Sequence, residues 1–286
     1  MAFSRRDKLI AVFEDTMKQI ADNPALAKAA KNSILNARYY APDDYPKFES
    51  EVDFTGEIAV TRHSSFEAAQ KLHIAHPNKR IAVLNFASAT NPGGGVKHGS
   101  SAQEEALCRC STLYPTLNQR KMWEQYYTAN RAEKNVLHTD ACIYSPDVIV
   151  FKSSDSIPKT LPSQEWFNVD VITCAAPNLR TDVSNRFNTE SGNAQIISDD
   201  DLYKLHLQRA KHILAITAAN KVNFFVLGAF GCGAFRNNPR VVAQAFFDAL
   251  EEYINGFDLV EFAIYCRDYE AENYQAFLDT YERKLF

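Results

Sequence analysis

The sequence predicts an α/β fold in which helices cover a mostly parallel or mixed central sheet. Short apolar runs of strand type alternate with helical patterns from about residue 58 onward, the alternation from which βαβ units are built. Two of those runs feed directly into glycine-rich loops, and several helices carry their own start signals. Ahead of this region, residues 1–50 read as a helical extension packed on a main domain of residues 51–286.

Within the extension, residues 3–21 place Leu9, Ile10, Val12, Phe13, Met17 and Ile20 at helical spacing. A turn at Asp22-Asn23 leads to a second helix over 24–35, and Pro42, Asp43, Asp44 and Pro46 break the pattern. Residues 58–61 suggest a short strand, and Ser64-Ser65-Phe66-Glu67 is a capping box that opens a helix. Residues 80–86 form a buried-type strand, since a strand covered on both faces is apolar throughout. It runs into Asn91-Pro92-Gly93-Gly94-Gly95, so that loop sits at the carboxyl end of a central strand, where open α/β sheets place ligand crevices.

Residues 102–113 then read as a helix that stops before Pro115, and 121–130 as another. Residues 143–151 read as strand, turn, strand, with Pro146-Asp147 at the turn. A second core strand spans 167–174, and the polar residues 181–192 read as a surface loop. A long helix over 199–220 begins at Ser198-x-x-Asp201. A third core strand, 222–227, runs into Gly228-Ala229-Phe230-Gly231-Cys232-Gly233-Ala234-Phe235, and Asn238-Pro239 starts the next helix as cap and first-turn proline. A strand over 259–265 and a helix over 270–285 close the chain.

Composition narrows the function classes. Among 286 residues the charged side chains nearly balance, 31 basic against 35 acidic for a net charge of −4, so no overall attraction to nucleic-acid backbones is expected. No apolar run approaches the roughly 20 residues of a membrane span, and the amino-terminal residues lack a signal-peptide core. The reading is therefore an intracellular, cytoplasmic protein with no membrane partner, a nuclear setting being left open. Cys108, Cys110, Cys142, Cys174, Cys232 and Cys266 show no Cys-x-x-Cys spacing, which favours reduced, buried thiols. No metal site is expected.

The chemistry concentrates in residues 91–105. Three successive glycines release the backbone from Cβ constraints, and Gln103-Glu104-Glu105 follows after seven residues. Ser101-Ala102-Gln103-Glu104 is itself a capping box, which would account for Glu104 without chemistry; it leaves Glu105 and the glycines unexplained. Neighbouring helical positions point about 100° apart, so the two carboxylates have separate tasks. A serine nucleophile at Ser100 or Ser101 is disfavoured for want of a G-x-S-x-G elbow. The second glycine-rich loop suits either a phosphate cradle or a tight strand-to-helix turn, because Arg236 stands where a dinucleotide fingerprint needs its third glycine. Phe235 is either a stacking platform or a core residue.

Taken together, Val83 through Gly95, a seven-residue spacer and Gln103-Glu104-Glu105 resemble the signature loop of the microbial-type poly(ADP-ribose) glycohydrolases. Residues 143–146, 171–178 and 227–237 extend that resemblance. It implies a macrodomain-like α/β/α fold with a mixed sheet, no cofactor, and hydrolysis of ribose–ribose bonds in poly(ADP-ribose) to release ADP-ribose. The substrate would be the polymer or an ADP-ribosylated protein, with no sequence-specific nucleic acid binding. By motif position, Glu105 would be the general acid/base and Glu104 would hold ribose hydroxyls. Gln103, Gly93, Gly94 and Gly95 would shape the loop, Asn91 would orient it or the ribose, and Gly231, Gly233 and Phe235 would grip the diphosphate and adjacent ribose. Two alternatives stand beside this: an ADP-ribose reader without catalysis, and a hydrolase of mono-ADP-ribosyl linkages.

Overall fold

The computed structural model describes residues 4–48, 56–181 and 196–284. Helices α1 (Arg5–Asp22) and α2 (Pro24–Asn36) precede a short strand β1 (Arg38–Tyr40); β2 (Glu57–Thr61), α3 (Ser65–Ala75) and β3 (Ile81–Phe86) then lead to the first glycine-rich loop. Beyond it come α4 (Gln103–Cys110), α5 (Leu113–Leu117), α6 (Arg120–Met122), a π-helical turn (Trp123–Tyr127) and α7 (Thr128–Glu133). Strands β4 (Cys142–Val150) and β5 (Phe167–Cys174) follow, then α8 (Asp199–Ala219), β6 (Phe224–Leu227), α9 (Pro239–Tyr253), β7 (Leu259–Ala263) and α10 (Glu272–Lys284).

The seven strands form one mixed sheet in the order β1-β4-β5-β3-β6-β7-β2. Strands β5, β3, β6, β7 and β2 run parallel, while β4 is antiparallel to both of its neighbours. Side chains alternate across the sheet with the period of two that a pleated strand imposes. Ile81 and Val83 of β3 join Phe13, Phe66, Leu107 and Leu113 on one face, whereas Ala82 and Leu84 join Ile213, Phe246 and Phe277 on the other. The result is a three-layer α/β/α arrangement with an apolar core on each side of the sheet.

Three sequence expectations change. Residues 142–150 are a single strand, not strand-turn-strand: a bulge between Ser145 and Val148 takes up the Pro146-Asp147 pair. Asp147 adopts φ 56°, and its N–H is captured by Asp170 Oδ1 at 2.9 Å, a partner from β5 that converts local turn chemistry into a bulge. The helix expected over 102–113 ends at Cys110, because the sheet edge takes the following backbone. Phe151 N–H donates to Cys110 O at 3.0 Å and Thr112 N–H to Ile149 O at 3.0 Å, after which α5 restarts with Pro115 in its first turn. The third change is β1, a strand within residues read as helical, which pairs with β4 through Arg38 to Tyr40. The expected surface loop from 182 onward and the boundary at 50/51 lie outside the described residues.

Candidate active site

Because β5, β3 and β6 are parallel neighbours, the segments that leave their carboxyl ends emerge side by side, and β3 lies where the chain's path across the sheet reverses direction. The first loop leaves β3, the segment beginning at Ala175 leaves β5, and the second glycine-rich loop leaves β6. Contact between the loops is direct: Phe86, last in β3, meets Phe230 edge-on at 5.8 Å and fills the space beside Gly228.

The first loop is a run of tight turns. Gly94 N–H donates to Asn91 O (2.9 Å), Val96 N–H to Gly93 O (3.0 Å) and His98 N–H to Gly95 O (2.9 Å). Gly93 and Gly94 take φ 67° and 54°, the left-handed region in which a Cβ is strained. Space is scarce as well: a Cβ on Gly94 would stand 2.6 Å from Glu105 Oε1 and 3.1 Å from Glu104 Oε2. One on Gly95 would meet Ser100 Oγ at 2.3 Å. The glycines therefore let two carboxylates lie directly against the loop backbone.

Glu104 and Glu105 are both buried, at 3% and 7% exposure, but they are held differently. Glu104 uses both oxygens. Its Oε1 accepts from Gly93 N–H (3.2 Å) and Asn85 Nδ2 (3.4 Å), and its Oε2 accepts from Ser88 N–H (2.8 Å). It does not cap its own helix, whose N-cap is Ala102, so the capping-box reading of Ser101 and Glu104 is overturned. The Ser88 and Gly93 amides, distant in sequence from the helix start, win the carboxylate because the loop folds back over it. Burial first, and the Glu105 charge second, push the Glu104 carboxyl well above the usual carboxylate range against these hydrogen bonds. Glu105 engages through one oxygen only: Oε1 accepts from Gly95 N–H at 2.9 Å, while Oε2 is buried with no protein partner among the described residues.

Gln103 acts as a staple from α4 to β3. Its Nε2 donates to Leu84 O at 2.7 Å and its Oε1 accepts from Phe86 N–H at 2.9 Å, the bonds a neighbouring strand would make, while Ser65 Oγ takes a further bond at 3.1 Å. Asn91 orients its amide through Thr90 Oγ1 (3.1 Å) and accepts from Arg131 Nη2 (2.7 Å). Arg131 also donates to Thr90 O at 2.8 Å and lies 4.8 Å from the Trp123 ring centroid. Buried Arg109, one helical turn past Glu105, donates to Ser100 O at 2.6 Å and ties down the return from the loop. Sequence reading missed Arg131 and Arg109; an arginine four residues after Glu105 was the available signal for the second.

In the second loop Gly231 has φ 78°, and a Cβ there would meet Ala176 Cβ at 2.6 Å and Asn237 Nδ2 at 2.7 Å. Asn237, buried, donates through Nδ2 to Pro177 O (2.7 Å), Gly231 O (3.0 Å) and Phe235 O (3.3 Å). Its Oδ1 lies 2.8 Å from His206 Nε2, which therefore carries the proton; burial pushes the His206 pKa down to about 3. Gly233 is exposed with open space where a Cβ would stand, and Phe235 is half-buried between Arg180 and His138. The first loop thus gathers Asn91, Gly93, Gly94, Gly95, Gln103, Glu104 and Glu105. Gly231, Gly233 and Phe235 lie on the adjoining loop. Among the described residues no three His, Cys, Asp or Glu side chains are grouped for a metal, and no helix is long and apolar enough to cross a membrane. All six cysteines are free; Cys232 and Cys266 are half-buried where burial was expected.

The family model described as microbial-type PARG, catalytic domain, matches residues 12–153, which include the first loop and both glutamates. Among solved structures, poly(ADP-ribose) glycohydrolase from Thermomonospora curvata superposes with a TM-score of 0.81 at 27% identity, over 96% of this chain and 100% of that one. The same enzyme bound to the inhibitor ADP-HPD gives 0.78 at 27% identity, over 96% and 99%. Poly(ADP-ribose) glycohydrolase from Deinococcus radiodurans, in complex with ADP-ribose, gives 0.73 at 31% identity, over 89% and 97%. No curated protein matches the sequence. Sequence motif, sheet order and loop geometry converge, and the chain belongs to the microbial-type poly(ADP-ribose) glycohydrolase family.

Proposed function

We infer that this protein hydrolyses the ribose–ribose O-glycosidic bonds of poly(ADP-ribose) and releases ADP-ribose, with Glu105 as the general acid and then the general base. One observation carries the assignment of Glu105: its Oε2 is buried and unpartnered, while its other oxygen is fixed by Gly95 N–H. Leaving a carboxylate oxygen buried without a donor costs about 1–3 kcal/mol, a cost that a ribose hydroxyl donating to it would remove. Glu104, with both oxygens taken by loop donors, is the less available of the two.

Cleavage of a glycosidic bond passes through an oxocarbenium-like state and needs a proton on the leaving oxygen. Protonated Glu105 gives its proton to the departing ribose oxygen as the bond breaks. Water then attacks the cation, and the Glu105 carboxylate takes the proton that water loses. Burial first, and the neighbouring Glu105 charge second, push the Glu104 carboxyl up, so a proton is held beside the reacting group. Glu104 and Asn91 orient the ribose, while Gly231, Gly233 and Phe235 hold the diphosphate side. Polymer-bearing ADP-ribosylated protein is the partner. The six free thiols support an intracellular setting.

Wild-type protein is expected to release ADP-ribose from the polymer, whereas Glu105→Ala loses turnover by about 10²–10⁴-fold with its ADP-ribose affinity retained. Turnover persisting in that variant would remove Glu105 from the mechanism. A wild type that binds ADP-ribose without releasing it from polymer would be a reader, and faster release from mono-ADP-ribosylated protein would shift the substrate.

A further inference from the structure

Arg180 lies at the end of the segment that follows β5, a segment stitched to the second glycine-rich loop. Asn237 Nδ2 binds Pro177 O at 2.7 Å, and Leu179 N–H donates to Phe235 O at 3.0 Å. The guanidinium carbon sits 5.4 Å from the centroid of the Phe235 ring. Arg180 Nε donates to Asn178 Oδ1 at 3.1 Å, but Nη2 is buried and has no acceptor among the described residues. No carboxylate among those residues forms an ion pair with it.

At this half-buried cation Nη2 is cut off from water with no counter-charge among the described residues, and burial pushes its pKa down. Phe235 places this cation beside a second set of donors. The backbone N–H groups of Gly233, Ala234 and Phe235 have no protein acceptor among the described residues, and the space a Cβ on Gly233 would take is open. A charged donor and backbone N–H groups that no described residue accepts from therefore meet around one half-buried aromatic ring. An anionic group with several acceptor oxygens satisfies both, and a diphosphate is such a group. Arginine also suits the position better than lysine, since its plane packs on the ring while its edge faces an oxygen pair.

We propose that Arg180 is a substrate ligand that contacts the diphosphate of ADP-ribose, held in place by Phe235 and Asn178 and acting together with the N–H groups of the second loop. This rests on the poly(ADP-ribose) reading and adds to it a residue that selects for phosphate. Binding by ADP-ribose should depend on Arg180, and binding by adenosine, which has no phosphate, should not.

Titration calorimetry on the full chain tests this with ADP-ribose and adenosine as probes, alongside steady-state kinetics on poly(ADP-ribose). Arg180→Gln should weaken ADP-ribose binding by about 10-fold or more, raise KM by a similar factor and leave kcat within about 3-fold. Arg180→Lys should recover part of the loss, since it keeps the charge without the planar edge. The salt dependence of ADP-ribose binding should be shallower in Arg180→Gln than in the wild type. Equal ADP-ribose affinity in wild type and Arg180→Gln would overturn the proposal, as would equal losses for adenosine and ADP-ribose, which mark a packing defect. Should the wild type bind ADP-ribose through Arg180 yet fail to cleave polymer, the enzymatic reading fails and the ligand role survives. Cleavage indifferent to Arg180 removes the ligand role alone, and a wild type that binds no ADP-ribose removes both.

Discussion

At Gly94 the volume of a Cβ is already occupied by the Glu105 carboxylate, and the backbone is left-handed. Gly94→Ala is therefore expected to cost about 1–2 kcal/mol of stability and to displace the Glu105 carboxylate, the proposed acid, by enough to lower kcat about 10²-fold. A denaturant midpoint with parallel kinetics checks both, and near-normal turnover would contradict this account of the loop. Glu104 offers a separate test through its raised pKa. A carboxyl whose folded pKa lies above its unfolded value binds more protons when folded. Its stabilising contribution is complete below about pH 4.3, the ordinary glutamate value, and is lost as pH rises through the folded one. Urea titrations of wild type and Glu104→Gln across that range should show the wild type falling relative to the variant as pH increases. Parallel curves would mean that Glu104 titrates normally. The pair Glu104-Glu105 stands out in the sequence, but the division of labour between them does not. Which oxygen remains free depends on amides of Ser88, Gly93 and Gly95 brought back over the helix by the loop.

Among elements, α4 is placed by its first residue. Gln103 occupies hydrogen-bonding positions of β3 at Leu84 and Phe86, so the helix start and the strand end move as one unit. The second loop depends on Asn237, which holds three carbonyls at Pro177, Gly231 and Phe235. Asn237→Ala is expected to destabilise by about 1–3 kcal/mol and to raise KM for polymer about 10-fold, with a smaller change in kcat. A kcat loss without a KM change would assign the second loop to catalysis instead. Periodicity and cap signals located α1, α2, α3, α8 and α9 in the sequence, since those cues are local to each segment. The break between α4 and α5 and the bulge in β4 were not legible, because each is imposed by a backbone or side-chain partner on a neighbouring strand.

At the scale of the whole molecule, the first two helices belong to the structure that supports the site. Phe13 is buried at 5% exposure and meets Tyr114 edge-on at 5.0 Å, and Tyr114 in turn packs beneath Gly93. Thr16 Oγ1 donates to Arg109 O at 2.6 Å, and Lys152, almost fully buried, binds Asp15 and Val12 O of α1. Phe13→Ala should cost about 3–5 kcal/mol and shift one cooperative unfolding transition. An early separate transition of the amino-terminal helices would show instead that they fold independently. The sequence by itself determined the α/β class, the two glycine-rich loops at strand ends and the Gln103-Glu104-Glu105 motif, because each is written in contiguous residues whose periodicity or spacing needs no partner. Tertiary structure alone decided that β5 and β6 flank β3 and that β1 joins the sheet; it also decided that, among the described residues, Glu105 keeps an oxygen without a partner while Glu104 does not, and Arg180 faces Phe235 with no counter-charge. Those outcomes depend on which distant segments compete for the same hydrogen bonds and buried space, and that competition is settled only when the chain is packed.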